Sequence, residues 1–301
     1  MEAERILVLG NVNVDLVMGE VDGWPAVGTE VILPRSEMRA GGSAGNTALA
    51  LSGLRVPHRL VASVGTDMMG DWLAGCFDDA YSTWIAMDGA TTLTVGIVHR
   101  GGDRAFFTTT GHLAVATVED LLAHVPQAPA GNAYAIISGG FLMPEIERET
   151  SAFIAALQER GWTVAIDPGW PPAGWTVQTR DRMRAWLAEA DIALINAEEA
   201  KGIAATDTLD AAIAFLRPDS ASDRILVVKS GADGALVMQR DETIAVEAPK
   251  VEVIDTVGAG DTFNAGFLAV LARGGSLHEA GEGGVRAASS AISTFPRRYD
   301  L

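Results

Sequence analysis

The sequence predicts an α/β fold: a doubly wound, mostly parallel sheet with helices on both faces, plus a small β-sheet lid. Short apolar runs alternate with amphipathic helical stretches along most of the chain, which is typical of parallel sheets covered by helices. Polar residues or glycines follow the predicted strands, at the edge where open α/β sheets bind ligands. The segment 92–110 departs from this alternation and indicates a separate hairpin.

Composition limits the possible classes of protein. The 301 residues, 48% of them hydrophobic, can form one large domain, and we expect a single domain over 1–301. The net charge of −17 makes nucleic acid and an anionic membrane unfavourable partners. A single cysteine, Cys76, excludes an internal disulfide. We find no signal-peptide pattern and no apolar stretch that could span a bilayer, and we expect a cytoplasmic protein.

The first predicted strand covers 5–9 and stops at Gly10. After it, polar residues alternate with apolar ones, and in an extended segment Asn11, Asn13 and Asp15 would project to one side. These side chains could hold the hydroxyls of a polyol. They could equally form a polar strand face or an Asx-rich turn, and their spacing alone favours neither interpretation.

A glycine-rich turn comes next and leads into a helix that begins near Thr47. Gly41 and Gly42 would let a ligand approach the main chain, and Asn46 would point toward it from the first helical turn. Before this turn, we expect a short, half-exposed strand over 28–36.

The hairpin is predicted from strands at 94–100 and 104–110 around a Gly-Gly-Asp turn at 101–103. Together with 28–36 it could form a small antiparallel sheet. This sheet is either a lid subdomain, built from about 12–40 and 92–110, or an additional edge hairpin. Its apolar side chains raise the hypothesis of a homodimer formed through the lid: Val95, Ile97, Phe106 and Phe107.

The second half of the chain alternates regularly. We predict strands at 133–138, 162–166, 191–195 and 224–228, helices at 145–160, 182–190 and 209–216, and a hairpin of 235–239 with 243–246. Polar residues or glycines stand where strands of the main sheet end: Gly65, Gly139, Asp167, Asn196 and Lys229.

The most informative segment runs from Asp255 to Asp261. Here Gly258, Ala259 and Gly260 open a predicted helix, where backbone N–H groups lack acceptors and the helix dipole is positive. Such a turn binds anions. The Asp261 carboxylate is placed to take a proton from a hydroxyl, so the segment suits phosphoryl transfer to an alcohol.

Two further sites each allow two interpretations. Asn196 and Glu199 could hold water around Mg²⁺ next to a nucleotide phosphate, or they could form a reciprocal helix cap, which uses the same spacing. Lys229 could contact phosphate and Gly231 could let a nucleotide lie against the backbone. The alternative is a tight turn with a solvated lysine. Taken alone, the spacing of Asn196 and Glu199 favours the helix cap. For Lys229 and Gly231, the pattern does not favour a nucleotide contact over the tight turn.

Other enzyme classes lack their signatures. No Walker-A pattern and no G-x-G-x-x-G fingerprint after the first strand are present, and the five histidines lack metal-ligand spacing. Gly41, Ser43 and Gly45 match the nucleophile elbow of serine hydrolases. A polar segment precedes them instead of a buried strand, so we interpret this match as accidental.

Taken together, these motifs resemble the ribokinase-like family, also called the PfkB carbohydrate kinases. The resemblance covers essentially the whole chain. It rests on the N-terminal signature at 41–48, on Asp255 to Asp261 as the C-terminal signature, and on the Asn-x-x-Glu motif at 196–199. It implies an ATP-dependent kinase that phosphorylates a primary hydroxyl of a sugar or nucleoside with Mg²⁺, under a β lid.

The resemblance also implies a role for each matching residue. Asp261 would be the catalytic base, with the anion hole at 258–260. The acceptor would be held by Asn11, Asn13, Asp15, Gly41, Gly42 and Asn46. Lys229 and Gly231 would lie beside ATP, while Asn196 and Glu199 would belong to the Mg²⁺–phosphate site.

The sequence departs from the family pattern in two places. Ribokinases usually have a glutamate just after the strand that here ends near Gly139, and its absence argues against ribose. Many relatives bind K⁺ through the residue equivalent to Asp255 and a glycine-containing C-terminal segment, but 293–298 contains no glycine. A neutral sugar or nucleoside is the expected acceptor. The alternative is a catalytically silent protein of this fold that only binds the ligand.

Overall fold

The computed structural model describes residues 4–99 and 104–301. Its strands are, in chain order, β1 (Ile6–Gly10), β2 (Asn13–Val21), β3 (Ser36–Gly41), β4 (Arg59–Gly65), β5 (Ser82–Met87), β6 (Leu93–His99), β7 (Arg104–Thr108), β8 (Tyr134–Ser138), β9 (Thr163–Asp167), β10 (Ile192–Asn196), β11 (Ile225–Lys229), β12 (Ala235–Gln239) and β13 (Glu242–Val246). Its α-helices are α1 (Ser43–Gly53), α2 (Met68–Ala74), α3 (Val118–Leu122), α4 (Pro144–Glu159), α5 (Val177–Glu189), α6 (Ala197–Ala204), α7 (Leu209–Leu216), α8 (Ala259–Ala272) and α9 (Leu277–Ile292).

The main sheet has the strand order β13-β12-β11-β10-β9-β8-β1-β4-β5. The strands from β11 to β5 pair in parallel, while β12 and β13 add an antiparallel edge. The fold class predicted from the sequence, a mostly parallel sheet covered by helices, is therefore confirmed.

Two apolar cores lie on opposite faces of this sheet. Alternate side chains of β1 enter different cores: Ile6 and Val8 pack in one, and Leu7 and Leu9 in the other. All four are fully buried, which explains why this strand is a continuous apolar run.

The small sheet is separate from the main one and has the order β3-β2-β6-β7. Strand β2 pairs antiparallel with β3 and parallel with β6, and β6 pairs antiparallel with β7. The predicted hairpin is thus present as β6 and β7. Its predicted turn at 101–103 lies outside the described residues.

The strand predicted at 28–36 is wrong. No strand covers 28–35, and β3 begins only at Ser36. The apolar side chains that favoured a strand have no sheet face to cover them, since Val31 is 47% and Ile32 is 90% exposed. Pro34 also lacks the N–H that a ladder requires.

Helix α8 is mostly buried and packs closely on α9. Its Gly266 faces the backbone of Gly283, so a methyl group at position 266 would lie 2.5 Å from that carbonyl oxygen. This packing fixes the axis of α8, whose first turn carries Asp261. Among the described residues, no helix combines the length and apolar character needed to cross a bilayer.

Candidate active site

The carboxyl ends of the parallel strands meet at one edge of the main sheet. In register, Gly10 stands opposite Ser138, Ser138 opposite Asp167, and Asn196 opposite Lys229. The polar strand ends predicted from the sequence are therefore neighbours in space. The N terminus of α8 lies against the same edge, because Lys229 contacts Asn264 of that helix.

Helix α8 begins with a turn that exposes backbone amides. Gly258 has a φ of 71°, a left-handed conformation that glycine adopts without a steric penalty. The amide of Ala259 donates to the carbonyl of Thr256 at 3.2 Å. For the amides of Gly260 and Asp261, no hydrogen-bond acceptor is found among the described residues. These two amides remain available for an anion at the positive end of the helix dipole.

The carboxylate of Asp261 lies partly buried in this first turn. Its Oδ2 accepts a hydrogen bond from Nδ2 of Asn46 at 2.9 Å. Burial, followed by the negative charge of Asp167, raises the pKa of Asp261 to about 7, although Asn46 and Lys229 oppose the shift. A carboxylate with a pKa near neutrality is suited to accept a proton from a hydroxyl.

Helix α1 is positioned by Asn11, at the end of β1. The side-chain Oδ1 of Asn11 accepts from the amide of Ser43 at 2.9 Å, and its backbone carbonyl accepts from Ala44 at 3.1 Å. Gly42 precedes the helix with a φ of 82°, and a Cβ there would clash with the carbonyl of Asn11. Asn11 and Gly42 thereby shape the turn that presents Asn46 to Asp261.

Asn13 and Asp15 lie on β2 of the small sheet. The Asn13 Nδ2 donates to Oδ1 of Asp15 at 2.6 Å and to Oγ1 of Thr94 at 3.1 Å. Burial raises the pKa of Asp15 to about 6, against the lowering effects of Asn13 and Arg39. Gly41 is paired with Asn13 across β3 and β2, so these predicted acceptor residues share one wall.

A buried ion pair lies beside the α8 turn. Nζ of Lys229 donates to Oδ2 of Asp167 at 2.6 Å and to Oδ1 of Asn264 at 3.2 Å, while Nδ2 of Asn264 donates to the same Asp167 oxygen at 2.6 Å. A Cβ placed on Gly260 would lie 3.4 Å from the ammonium group, so Lys229 borders the exposed amides. Although burial opposes it, the charges of Asp167 and Glu199 raise the pKa of Lys229.

Sequence reasoning did not assign Asp167 or Asn264 to the site. The sequence pattern identifies Asp167 only as a residue at a strand end. Asn264 follows Asp261 by three positions on α8, a spacing that places both on one helix face and could have been used as a signal.

Asn196 and Glu199 form a reciprocal cap at the start of α6. The amide of Glu199 donates to Oδ1 of Asn196 at 2.8 Å, and the amide of Asn196 donates to Oε2 of Glu199 at 2.8 Å. Glu199 is only 3% exposed, and burial together with the charge of Asp167 raises its pKa to about 7. The helix cap, one of the two interpretations of this spacing, is therefore present in the structure. A cap uses one oxygen of each side chain and is compatible with a second role.

Asp255 is held by two arginines. Its Oδ2 accepts from Nη2 of Arg297 at 3.0 Å and also from Nη1 of Arg39, and its Oδ1 accepts from the amide of Val257 at 3.0 Å. Burial works against ionisation, but these donors outweigh it and hold the pKa of Asp255 at about 2. Neither arginine contact was predicted from the sequence.

Gly231 and Ser43 lie at the margins of this arrangement. Gly231 is exposed in a short 3₁₀ turn after Lys229, with a φ of 56° and open space where a side chain would be. Ser43 begins α1, and the strand that precedes it, β3, belongs to the small sheet and starts with three exposed residues. A nucleophile elbow requires a buried strand of the main sheet at that point.

Comparisons with known proteins find relatives that match nearly the whole chain. An ATP-dependent ribose-1-phosphate kinase from Halopiger xanaduensis is 30% identical over 280 residues, which cover 92% of this chain and 88% of the relative. The solved structure of adenosine kinase from Sinorhizobium meliloti has a TM-score of 0.76 at 21% identity, covering 98% of this chain and 95% of that one. Arabidopsis thaliana ribokinase complexed with ribose and ATP has a TM-score of 0.76 at 21% identity, covering 97% and 93%.

The two structures show the fold, and the sequence matches show the family. The model of the pfkB family carbohydrate kinases matches residues 3–297, nearly the whole chain. The chain belongs to the pfkB family of carbohydrate kinases and is a sugar or nucleoside kinase.

Proposed function

We propose that this kinase transfers the γ-phosphoryl group of ATP to a primary hydroxyl of a small neutral sugar or nucleoside, with Asp261 as the catalytic base. One observation carries the proposal. The Asp261 carboxylate, with a pKa of about 7, lies in the first turn of α8 beside amides that have no acceptor in the described chain.

In the proposed step, Asp261 accepts the proton of the acceptor hydroxyl. The hydroxyl oxygen forms a bond to the γ-phosphorus as the bond between that phosphorus and the β,γ-bridging oxygen breaks, and ADP leaves. Asn46, which donates to Asp261 at 2.9 Å, holds the carboxylate in one orientation. The step needs no covalent intermediate with the protein.

The turn at Gly258, Ala259 and Gly260 would bind the negative charge that develops on the transferred group. The amides of Gly260 and Asp261 supply the donors, because the Ala259 amide is already bonded to Thr256. Lys229 would add a full positive charge from beside Gly260. Asp167 keeps this ammonium in place and, when no phosphate is bound, balances its charge.

We assign the nucleotide side of the cleft to Lys229, Gly231 and Asn196. Glu199 provides a buried carboxylate next to them, and carboxylate and amide oxygens suit Mg²⁺ contacted through water. Mg²⁺ would neutralise phosphate charge when it is bound with ATP.

The acceptor side is assigned to Asn11, Asn13, Asp15 and Asn46, with Gly41 and Gly42 allowing close approach to the backbone. Amide and carboxylate groups bind hydroxyls well, and a carboxylate at this wall disfavours an anionic acceptor. The small sheet carries Asn13 and Asp15, and we propose that it acts as the lid that closes over the acceptor.

A sugar phosphate is the second candidate acceptor. The Halopiger relative, 30% identical across 92% of this chain, is a ribose-1-phosphate kinase by name. A phosphorylated acceptor would need a positive charge beside the Asp15 wall. Arg39 is the basic residue paired with Asp15 across the small sheet, and it is engaged with Glu37 and Asp255.

A coupled assay of ADP release tests the proposal. The acceptors are pentoses, hexoses, ketoses, sugar acids and nucleosides, with ribose 1-phosphate as the phosphorylated comparison. We expect turnover with at least one neutral acceptor and a product phosphorylated at a primary hydroxyl. If turnover with ribose 1-phosphate exceeds turnover with every neutral acceptor, a sugar phosphate becomes the proposed acceptor. If an acceptor binds tightly but no tested acceptor leads to ADP release, the result would support the catalytically silent alternative.

A further inference from the structure

The Asp255 carboxylate is the group through which a chain of this family could bind K⁺, and both of its oxygens already have donors. Oδ1 accepts from the Val257 amide, and Oδ2 accepts from Arg297 and Arg39. The carboxylate is 19% exposed, and the Arg297 side chain that meets it is 22% exposed. At least three of the four lone-pair positions of the carboxylate are therefore engaged by protein donors.

Two carbonyl groups in the last turn of α9, just before the C-terminal segment, are also bonded to protein donors. The carbonyl of Ile292 accepts from the amides of Ile254 and Asp255 at 2.8 and 3.2 Å. The carbonyl of Ser290 accepts from Oγ1 of Thr294 at 2.8 Å. A K⁺ site in a protein is typically lined by several such carbonyl oxygens facing one point. Here the Ile292 carbonyl instead binds the distant 254–255 segment, and the Ser290 carbonyl accepts from the residue four positions after it.

The charges around Asp255 also disfavour a bound K⁺ ion. Two guanidinium groups carry fixed positive charges beside Asp255, and a third cation at the same carboxylate would be repelled by both. Arginine is weakly hydrated and offers several donors in a planar fork, which suits a partly buried carboxylate. The residues present therefore do not fit K⁺.

We infer that Arg297, together with Arg39, takes the place of a monovalent cation at Asp255, so that the 255–260 segment is held for catalysis without K⁺. Arg297 comes from the C-terminal segment and Arg39 from β3 of the small sheet. The kinetic consequence rests on the proposed role of this segment as the anion hole. The binding consequence does not depend on it.

Ion dependence of the unmodified protein is the direct test. Thermal unfolding midpoints and kcat are measured in KCl, NaCl and choline chloride at equal ionic strength. We expect no K⁺-specific rise in the midpoint and a kcat that varies by less than about twofold among the salts. A midpoint that rises only with K⁺, or a kcat stimulated about tenfold by it, would overturn the inference. If no acceptor is phosphorylated in any salt, the proposed function fails, while the midpoints still decide the question of K⁺.

Removing one guanidinium gives a second test. In choline chloride, Arg297→Ala should lower kcat by about tenfold. Added guanidinium chloride or KCl should then raise the kcat of this variant by about threefold or more. Arg298→Ala is the matched control, because Arg298 is the exposed neighbour in the same segment. Equal kcat values for the two variants would contradict the inference, and so would a loss that neither cation restores. Circular dichroism shows whether each variant is folded, and the salt comparison on the unmodified protein stands if Arg297→Ala is not.

Discussion

At the scale of single residues, the site depends on carboxylates whose ionisation is shifted toward neutral pH. Burial and Asp167 raise the pKa of Asp261 to about 7, and burial raises that of Asp15 to about 6. In contrast, Asp255 stays ionised at every physiological pH because its donors hold its pKa at about 2. In the proposed mechanism, the group that exchanges a proton is thus distinct from the group that anchors structure.

The first prediction concerns the pH dependence of catalysis. A base works only when ionised, so kcat/KM for the acceptor should fall as pH decreases through about 7 and level off above it. Asn46→Ala removes a hydrogen bond that favours the ionised form, so the midpoint should move to higher pH. Asp15→Asn removes a negative charge that disfavours it, so the midpoint should move to lower pH.

The control for this prediction is the opposite sign of the two shifts. A general loss of acceptor binding would lower kcat/KM in both variants, but it would not shift their two pH midpoints in opposite directions. A flat profile from pH 5 to 9 in the unmodified enzyme would exclude Asp261 as the titrating base, provided that chemistry limits the rate.

Individual residues of the site could be predicted only where a short motif carried them. Gly258 and Asp261 stand in a specific signature, and the structure places them at a helix start as expected. The spacing of Asn264 from Asp261 on α8 was not used as a signal. Asp167 was missed because its role depends on Lys229, which is 62 positions away in the sequence. Such long-range pairing leaves no local pattern.

At the scale of secondary-structure elements, the position of Asp261 depends on how closely α8 packs on α9. We predict that Gly266→Ala destabilises the protein by about 1–3 kcal/mol, because the added methyl group would lie 2.5 Å from the carbonyl oxygen of Gly283. The gain in helix propensity, about 1 kcal/mol, offsets only part of this cost. Chemical denaturation monitored by circular dichroism measures the difference.

The matched variant is Gly140→Ala. A Cβ at Gly140 meets no heavy atom within 4 Å, so its free energy of unfolding should stay close to that of the unmodified protein. If Gly266→Ala proved as stable as Gly140→Ala, close helix packing would not constrain α8, and the account of how Asp261 is positioned would need revision.

Elements with strong periodicity were predicted well, and others were not. Helix α7 and strand β12 have the predicted bounds, and the neighbouring predictions differ by a few residues. The edge strand β5 and the helix α9 were not predicted. Strand β5 is half-exposed and has little alternation. Helix α9 contains buried glycines at 281, 283 and 284, which disfavour a helix in isolation and are needed here for contact with neighbouring side chains.

At the scale of the whole molecule, the small sheet and the loop that follows β2 present exposed aromatic side chains. Trp24, Phe106 and Phe107 are 61%, 57% and 54% exposed, and Trp24 packs edge-to-face on Phe107 at 5.9 Å between ring centroids. The sequence had raised a dimer through this sheet, and the exposure of Phe106 and Phe107 keeps that hypothesis open. Phe106 and Phe107 are consecutive on β7 and so project from opposite faces of the small sheet. Exposed apolar side chains are common at contacts between subunits.

We predict a dimer in solution that Phe106→Asp converts to a monomer, because a buried carboxylate in the contact would lack a partner. Light scattering coupled to size-exclusion chromatography measures the mass. Val115→Asp serves as the control, since Val115 is 54% exposed outside the small sheet and should leave the mass unchanged. A monomeric mass of the unmodified protein at micromolar concentration would reject the dimer.

The overall architecture was the most predictable level. The alternation of strands and helices was sufficient to predict the parallel sheet. The polar strand ends at Asp167, Asn196 and Lys229 were predicted to meet at one edge, and they do. The small sheet was predicted to be antiparallel with a strand at 28–36, and both points were wrong. Strand β2 pairs in parallel with β6, and the apolar residues at 31 and 32 are exposed instead of covered. The acceptor could not be predicted, since the wall that we propose for it combines residues of β2, β3 and α1 whose relative positions only the fold determines.

The central claim is that Asp261 removes the proton of the acceptor hydroxyl. The most direct measurement is the kcat of Asp261→Asn with the best acceptor from the screen, with the unfolding midpoint as a check that the fold is kept. The account predicts a loss of about 10²–10⁴-fold in kcat at an unchanged or higher midpoint, since the substitution removes a buried charge. A folded Asp261→Asn protein with near-normal kcat would contradict it.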